Sequence, residues 1–569
     1  LTAGNNLTIN TADETRQEIH QYKEKKSGFS GTGGVGISVG TSSLKITDDG
    51  QSLSSMGSTV GSTQGNVNLT AGNMLTTQGS DVLAGKDLNL TGKEVNILAT
   101  DNQSSQTHTV EQKQSGLTLA LSGTAGSAIN AAVSGANEAS KQSNDRLAAL
   151  QGMKSALSGV QAAQSVSLAE AGGSEGSLVG INLSYGSQSS KSTQTSTQSQ
   201  SQGSTLTAGN NLTLNATGTD ISVQGSQLQA GKEVSLNAAR DVNLFSGLNS
   251  QTLEGKNESH GSSVGAGINF GQGSGGVTVS ASVNKGKGSE TGNGISHNET
   301  TINAGNHLTI NSGRDTTLTG AQVSGEKVTL DVGRHLTLTS EQDTDNYDST
   351  QKNISAGASA GMGGGASVNL SRDKMHSTYQ SVQEQTGIFA GNGGFDISVG
   401  EHTQLNGAVI GSTADGSLNT LDTGTLGFID IKNSAEYEVE HQSVGASTGG
   451  SAGGQFLGNM ASNLLVGFNG SDSDSSVTHS AVSEGAIKIR DKDNQQRNLD
   501  DLSRDVEHAN QTLSPIFDKE KEQNRLREAQ LIGEIGSQIG DIARTKGQIE
   551  ATKAGKAELA AKGVKEPGA

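Results

Sequence analysis

The sequence contains no cysteine and no tryptophan, and only two prolines, Pro515 and Pro567, in 569 residues. Without cysteine there is no disulfide scaffold, no thiol catalysis and no Cys-ligated structural zinc. Proline cannot donate to a β-ladder, so a proline-free stretch of 514 residues suits a long, continuously hydrogen-bonded stack. Aromatics make up 2% and hydrophobic residues 31%, too few large apolar side chains for an ordinary globular core of this length. No run of 18 or more residues is strongly apolar, so no transmembrane helix is expected. With a net charge of −18, the chain lacks the basic balance that nucleic-acid binding needs, and no nucleic acid is expected as a partner. It opens on Leu1 with neither methionine nor signal peptide and reads as an internal fragment, so its start does not specify localisation.

What the sequence has is glycine, 80 residues of it, and a repeat. The phrase Thr2-Ala-Gly-Asn-Asn-Leu-Thr-Ile-Asn10 returns at Thr70–Met74, Thr207–Asn215 and Asn303–Asn311, with an echo at Ala390–Asn392. Apolar-x-apolar pairs follow it: Val67/Leu69, Leu88/Leu90 and Val95/Ile97; Leu212/Leu214, Val234/Leu236 and Val242/Leu244; Leu308/Ile310, Val328/Leu330 and Leu336/Leu338. Each pair is a short strand with two side chains on one face. The intervening Ala-Gly-Asn and Ala-Gly-Lys are turns. The first pair returns after about 20 residues and a strand occurs every 7 or 8, which describes three strands per coil of a parallel β-helix. Such a chain can fold because each aliphatic residue is reused in a narrow stacked core. Asn at matching positions is expected to form side-chain ladders.

Five excursions of different texture interrupt the coils, at about 12–59, 101–204, 247–299, 341–386 and 435–485. Most open on a polar run and continue in glycine-rich alternation. The clearest has Val264, Ala266, Ile268 and Phe270, a turn at Gly271–Gly276, then Val277, Val279, Ala281 and Val283. This pattern predicts a two-stranded hairpin with one apolar face. Leu147, Leu150, Met153, Leu157 and Val160 predict one stripe of an Ala-rich helix. Residues 491–569 predict a separate, loosely helical junction. Its glycines at 533, 536, 540 and 547 each cost about 1 kcal/mol relative to alanine.

The Ala-Gly-Asn-Asn-Leu-Thr-Ile/Leu phrases between glycine-rich excursions resemble the haemagglutinin repeats of two-partner-secretion exoproteins, over about residues 1–490. Filamentous haemagglutinins and CdiA-type contact-dependent growth inhibition effectors belong to that group. Leu513–Arg525 and Leu531–Ala543 resemble the pretoxin junction of the CdiA type, which favours toxin delivery over plain adhesion. The resemblance implies a mainly β chain, a right-handed parallel β-helix with β-hairpin excursions and a short helical C-terminal segment. It implies a secreted, cell-surface protein that passes through the periplasm. The implied partners are an outer-membrane transporter, engaged through an N-terminal domain not found here, and a target cell's outer membrane or surface receptor. The implied role is a non-catalytic stalk that helps carry a C-terminal toxin across the target outer membrane. A filamentous-haemagglutinin-type adhesin shaft, for attachment or biofilm, is the alternative. Neither a secretion domain nor a Val-Glu-Asn-Asn motif with a following toxin is found in the sequence, so the chain alone is expected to be neither secreted nor toxic.

Candidate sites are few. A glycan-cleaving β-helix would need carboxylates converging on one groove, and here Asp and Glu concentrate in the excursions and the tail. No enzyme activity, cofactor or metal is expected. The 11 histidines are scattered; His307 and His335 read as solvated turn residues. Asp491-Lys-Asp493-Asn494 opens like a calcium loop but lacks the glycine and glutamate that would complete one. Gly357, Gly361 and Gly365, and Gly450, Gly454 and Gly458 before Leu464–Phe468, have the four-residue spacing that lets membrane helices pack. The candidate membrane-contact surface is instead the hairpin Val264, Ala266, Ile268, Phe270, Val277, Val279, Ala281 and Val283. About 9–11 residues per strand would suffice to span a bilayer. A soluble hairpin packed along the stalk is the competing reading.

Overall fold

The computed structural model describes all residues except 33, 172–178, 272–273, 362–363, 449–467 and 562–569. The aliphatic pairs form the predicted parallel β-helix. Leu69, Leu90, Leu214, Leu236, Ile310, Leu330, Ile397, Leu421 and Ile487 pair one above the next in strictly parallel register. A second column runs Val60, Val82, Leu206, Leu228, Ile302, Val323, Ile388, Ile410, Val482. A third runs Ile97, Val223, Leu244, Leu318, Leu338, Leu405, Phe428. Apart from Val60 and Ile487 at the two ends, these side chains are buried, most of them fully. Each contributes about 1.5–3 kcal/mol of apolar burial, which is how so few large side chains sustain so long a core. Polar columns run alongside. Asn89 donates to Asn68 (2.9 Å), Asn237 to Asn215 (3.2 Å) and Asn311 to Asn237 (2.7 Å). Arg314 clasps Asp241 with two hydrogen bonds (3.0 and 2.7 Å), and Arg334 clasps Asp315 likewise (3.1 and 2.6 Å). The last coil, Ala481–Val482 and Ala486–Ile489, lies beyond the final excursion. Near it the Gln495 amide both accepts from Leu426 N and donates to Leu426 O (2.8 Å each), in place of a neighbouring backbone.

All five excursions leave from the same corner of the coil, between its third and first strands, and they do so at every second coil. At the intervening coils the chain turns that corner directly, through Gly79, Gly225, Gly320 and Gly407, all at φ of +53° to +63°. This left-handed conformation is open to glycine at little cost. Buried hydroxyls receive backbone N–H groups here. Ser58 N donates to Ser80 Oγ (3.1 Å), Ser80 N to Ser204 Oγ (3.2 Å) and Ser204 N to Ser226 Oγ (2.9 Å).

The excursions supply ten strands: β1 (Ala12–Gly31), β2 (Gly36–Met56), β3 (Thr100–Ser122), β4 (Val179–Gln202), β5 (Gly247–Gly271), β6 (Ser274–Asn298), β7 (Asp343–Gly361), β8 (Gly365–Ser381), β9 (Ile431–Thr448) and β10 (Phe468–Thr478). They do not stand as separate hairpins. All ten join in chain order into one antiparallel sheet. The reason is geometric. Two coils advance the β-helix by two strand spacings of ~4.8 Å, and each hairpin widens the sheet by the same amount. The polar runs that open the excursions thus become strands 18–25 residues long.

Three helices cover part of one face of this sheet: α1 (Gly123–Lys141), α2 (Asp145–Glu170) and α3 (Lys519–Ala561). The predicted stripe of α2 is only partly the buried one. Leu147 is buried, but Met153 and Val160 are half exposed, and Gln151, Ser158, Gln161 and Ala162 face inward instead. Polar residues are used there because α2 meets α3 through them: Gln538 donates to Ser158 (3.0 Å), Gln164 donates to the Ile542 carbonyl (3.0 Å), and Lys154 pairs with Glu534. The C-terminal segment folds back on the sheet. Tyr379 donates to the Leu513 carbonyl (2.8 Å), the Phe517 ring stacks at 5.5 Å from Tyr347 and lies 5.8 Å from Tyr437, and Lys519 pairs with Glu290. α3 is unbroken through its glycines; a Cβ at Gly536, Gly540 or Gly547 would meet nothing within 4 Å.

Where β6 and β7 join the stalk, Glu299 is pushed up to about 8, chiefly by burial and then by the Glu384 carboxylate beside it. Nearby, Asp343 holds His297 above the usual histidine range, across a 3.0 Å contact.

Three outcomes follow for stability. Leu236→Ala removes one rung of a fully buried column and is expected to cost about 2–5 kcal/mol in denaturant unfolding. Protons bind Glu299 and His297 more tightly in the folded chain than in the unfolded one, so stability is expected to fall as pH rises from about 5 to 8. Glu299→Gln should flatten that slope in thermal melts taken across the range. Phe517→Ala should free the tail, seen as earlier tryptic cleavage within Lys519–Ala561 while the cleavage pattern of the coils stays unchanged.

Candidate functional site

β-strands point alternate side chains to opposite faces, so the helix-covered sheet has a second face for which alternate residues decide the chemistry. In β5 and β6 that outward face carries the sequence-predicted set. Val264 pairs with Ala281, Ala266 with Val279 and Ile268 with Val277, while Phe270 lies opposite Gly275 and Val283 opposite Ser262. All eight are exposed, Val277 at 64% and Phe270 at 59%. The strands are 25 residues each, well beyond the expected 9–11, and run on to Gly271 and from Ser274, inside the expected turn. The intervening residues face the other way. Gly265, Gly267 and Asn269 are buried, and Asn269 accepts from Ser122 Oγ (2.8 Å) and donates to Thr278 Oγ1 (3.0 Å).

The apolar surface is wider than the hairpin. Register carries it across neighbouring strands: Phe29 pairs with Val39, Val39 with Leu117, Leu117 with Tyr185, and Tyr185 with Val264. A parallel row runs Ile37, Leu119, Leu183, Ala266, Val279, Ala360. On the C-terminal side Ile354, Leu370 and Val444 follow one another on β7, β8 and β9. Singly exposed apolar residues are ordinary, but contiguous ones across nine strands make this face the candidate contact surface. The sequence reading found the clearest hairpin and missed its extension, although the alternation Leu117-x-Leu119-x-Leu121 and Ile181-x-Leu183-x-Tyr185 was there to be read.

The outermost described strands of the sheet are rich in charge. β1 alternates acids and bases (Glu14, Arg16, Glu18, Lys23, Glu24, Lys25), and β10 carries Asp472 and Asp474. Charged edges discourage pairing with further strands.

The other candidates resolve structurally. His307 and His335 each open a strand rather than sit in a turn; His307 lies 2.9 Å from Thr329 Oγ1 and His335 3.4 Å from Glu401. Asp491 caps a 3-10 turn by accepting from Asn494 N (3.3 Å). Gly357, Gly361 and Gly365 lie in the β7–β8 hairpin, not in a helix, so their spacing does not serve helix packing. Gly450, Gly454, Gly458 and Leu464 lie outside the described residues, as do the others up to 467. A cavity of about 710 Å³ between the helices and the sheet is lined by Lys154, Asp373, His441 and Glu534, which pair among themselves. Among the described residues, no group of three or more His, Asp or Glu could hold a metal ion, and no helix is long and apolar enough to cross a membrane.

The hemagglutinin-repeat family model matches residues 38–184 and 183–354, more than half of the chain. Similar proteins include the 16S rRNA endonuclease CdiA of Enterobacter cloacae subsp. cloacae, 53% identical over the whole of this chain and 17% of its own length. The toxin CdiA of Yersinia pestis is 54% identical over 97% of this chain and 17% of its own length. The deoxyribonuclease CdiA of Yersinia pseudotuberculosis is 54% identical over 97% of this chain and 52% of its own length. The chain thus spans between about a sixth and a half of these relatives. No solved structure matches. By its coils and by these likenesses, the chain belongs to the hemagglutinin-repeat family, as a segment of the kind found within CdiA proteins.

Proposed function

We propose that this segment is a non-catalytic part of a secreted contact-dependent growth inhibition effector, one that meets the target-cell envelope and helps deliver a C-terminal toxin across the target outer membrane. The parent protein, on this reading, reaches the cell surface through the periplasm and an outer-membrane transporter of a two-partner system. The observation that carries the proposal is the contiguous apolar face of the antiparallel sheet. In water such a face is costly, at roughly 25 cal/mol per Å² left unburied, and a hydrocarbon surface would remove that cost. The hairpin Val264–Val283 is the proposed centre of contact.

The relatives' names support a non-catalytic role. Proteins about 50% identical over this segment are called a 16S rRNA endonuclease, a deoxyribonuclease and, in Escherichia coli strain NC101, a tRNA nuclease. Three different nucleic-acid targets beside one similar repeat segment point to activities held elsewhere in those chains. A stalk that delivers interchangeable cargo accounts for this.

The absence of cysteine makes a clean test. Val279→Cys in the intact chain, labelled with a polarity-sensitive fluorophore, should shift to the blue on adding outer-membrane lipid vesicles, while a label on Ser280→Cys, on the opposite face, should shift less. Val277→Asp with Val279→Asp should abolish co-flotation with the vesicles. Unchanged emission at position 279, with the wild-type chain remaining at the bottom of the gradient, would end the proposal.

A further inference from the structure

The outward face changes character along each strand. In β6 it reads Val277, Val279, Ala281, Val283, and then Lys285 and Lys287. Register spreads this change across the sheet. One row places Lys23, Lys45, Lys191, Lys287, Lys352 and Arg372 in line, interrupted by Glu111 and Glu258. The adjoining row, one step nearer the apolar zone, holds Lys25, Lys113 and Lys285. These two rows thus set nine cations against two carboxylates, in a chain with 39 basic and 57 acidic residues. The apolar rows beyond them carry no charge. The next row toward the stalk holds Lys256, Lys374 and Glu440, and in the row after it the balance reverts, with Asp49, Glu254, Asp348 and Glu438 on the same face. The cations are exposed, Lys45 less than the rest, and are barely neutralised from within. Of the nine, only Lys191 forms an ion pair among the described residues, with Glu111 at 3.1 Å.

Solubility alone would scatter lysines over the whole face. Here they form a belt at the border of the apolar zone. Lys285 stands eight residues from Val277, or roughly 26 Å of extended strand, close to the ~25 Å apolar band of outer-membrane barrels. Basic side chains at that border can carry their ammonium groups to the phosphate level of a bilayer while their stems lie on hydrocarbon.

We propose that this lysine belt binds the phosphate-bearing headgroups of an anionic lipid surface, and so sets how deep and in which orientation the sheet engages the membrane. This rests on the membrane-contact reading above. The apolar rows give affinity for any bilayer; the belt adds affinity for a negatively charged one and stops the sheet at its own level. The acidic row behind it opposes deeper entry.

The test compares the intact chain with Lys285→Gln/Lys287→Gln/Lys352→Gln and with the corresponding triple Arg variant, by flotation with phosphatidylcholine vesicles with and without phosphatidylglycerol. The wild-type chain should prefer the anionic vesicles, and added salt should weaken that preference. The Gln variant should lose at least tenfold in binding to anionic vesicles, as expected for about 1 kcal/mol per cation, and nothing on neutral ones. The Arg variant should retain wild-type binding. Unaltered circular dichroism would exclude misfolding. Undiminished preference for anionic vesicles in the Gln variant would overturn the belt while leaving membrane contact standing. Failure of the wild-type chain to float with either vesicle would overturn both.

Discussion

The structure depends on one shared length, the ~4.8 Å between hydrogen-bonded strands. The β-helix uses it as its rise per coil and the antiparallel sheet as its width per strand. Because a hairpin departs at every second coil and contributes two strands, the two ladders keep pace over the whole molecule. Each excursion therefore finds its neighbour alongside it. A polar segment such as Gln188–Ser199 has little reason to be a strand by itself, yet it is paired on both sides, with β3 and β5.

That constraint also explains the economy of the composition. In the coils, a few dozen aliphatic side chains are each counted twice, as cap of the coil below and floor of the coil above. In the sheet, much of the covered face is Gly, Ser, Asn and Thr, with small apolar clusters where the C-terminal segment lands, such as Tyr347, Met375 and Val439 under Phe517 and Leu526. The outward face then keeps most of the sheet's apolar residues, with no element on top of them among the described residues.

How much of this was legible in the sequence follows from the length scale of each signal. The pairs Leu88/Leu90 and Val234/Leu236 repeat within one coil, so the β-helix and its three-strand period could be read directly. The exit corner was readable too, but was missed: Gln78-Gly79-Ser80 recurs as Gln224-Gly225-Ser226, and marks the coils where no hairpin leaves. The hairpin Val264–Val283 showed its alternation, but its union with four others depends on the coil count between excursions, which no local pattern states. The helix through Leu147 and Leu157 was visible by its period, but its inward face was not, because α3 arrives from 380 residues away and brings glutamines and carboxylates. The docking of Phe517 between Tyr347 and Tyr437 was invisible for the same reason.

That last joint gives the molecule an optical property. With no indole anywhere, its near-ultraviolet emission arises mainly from five phenols, and three of them, Tyr347, Tyr379 and Tyr437, surround the segment from Leu513 to Lys519. Tyr347 is close to an ammonium group and donates to a carboxylate, and Tyr379 donates to a carbonyl; both carbonyl and carboxylate acceptors are known to dim a phenol's light. The native glow of the chain is thus weighted away from this joint, and it would brighten when the tail lifts and takes the Leu513 carbonyl from Tyr379.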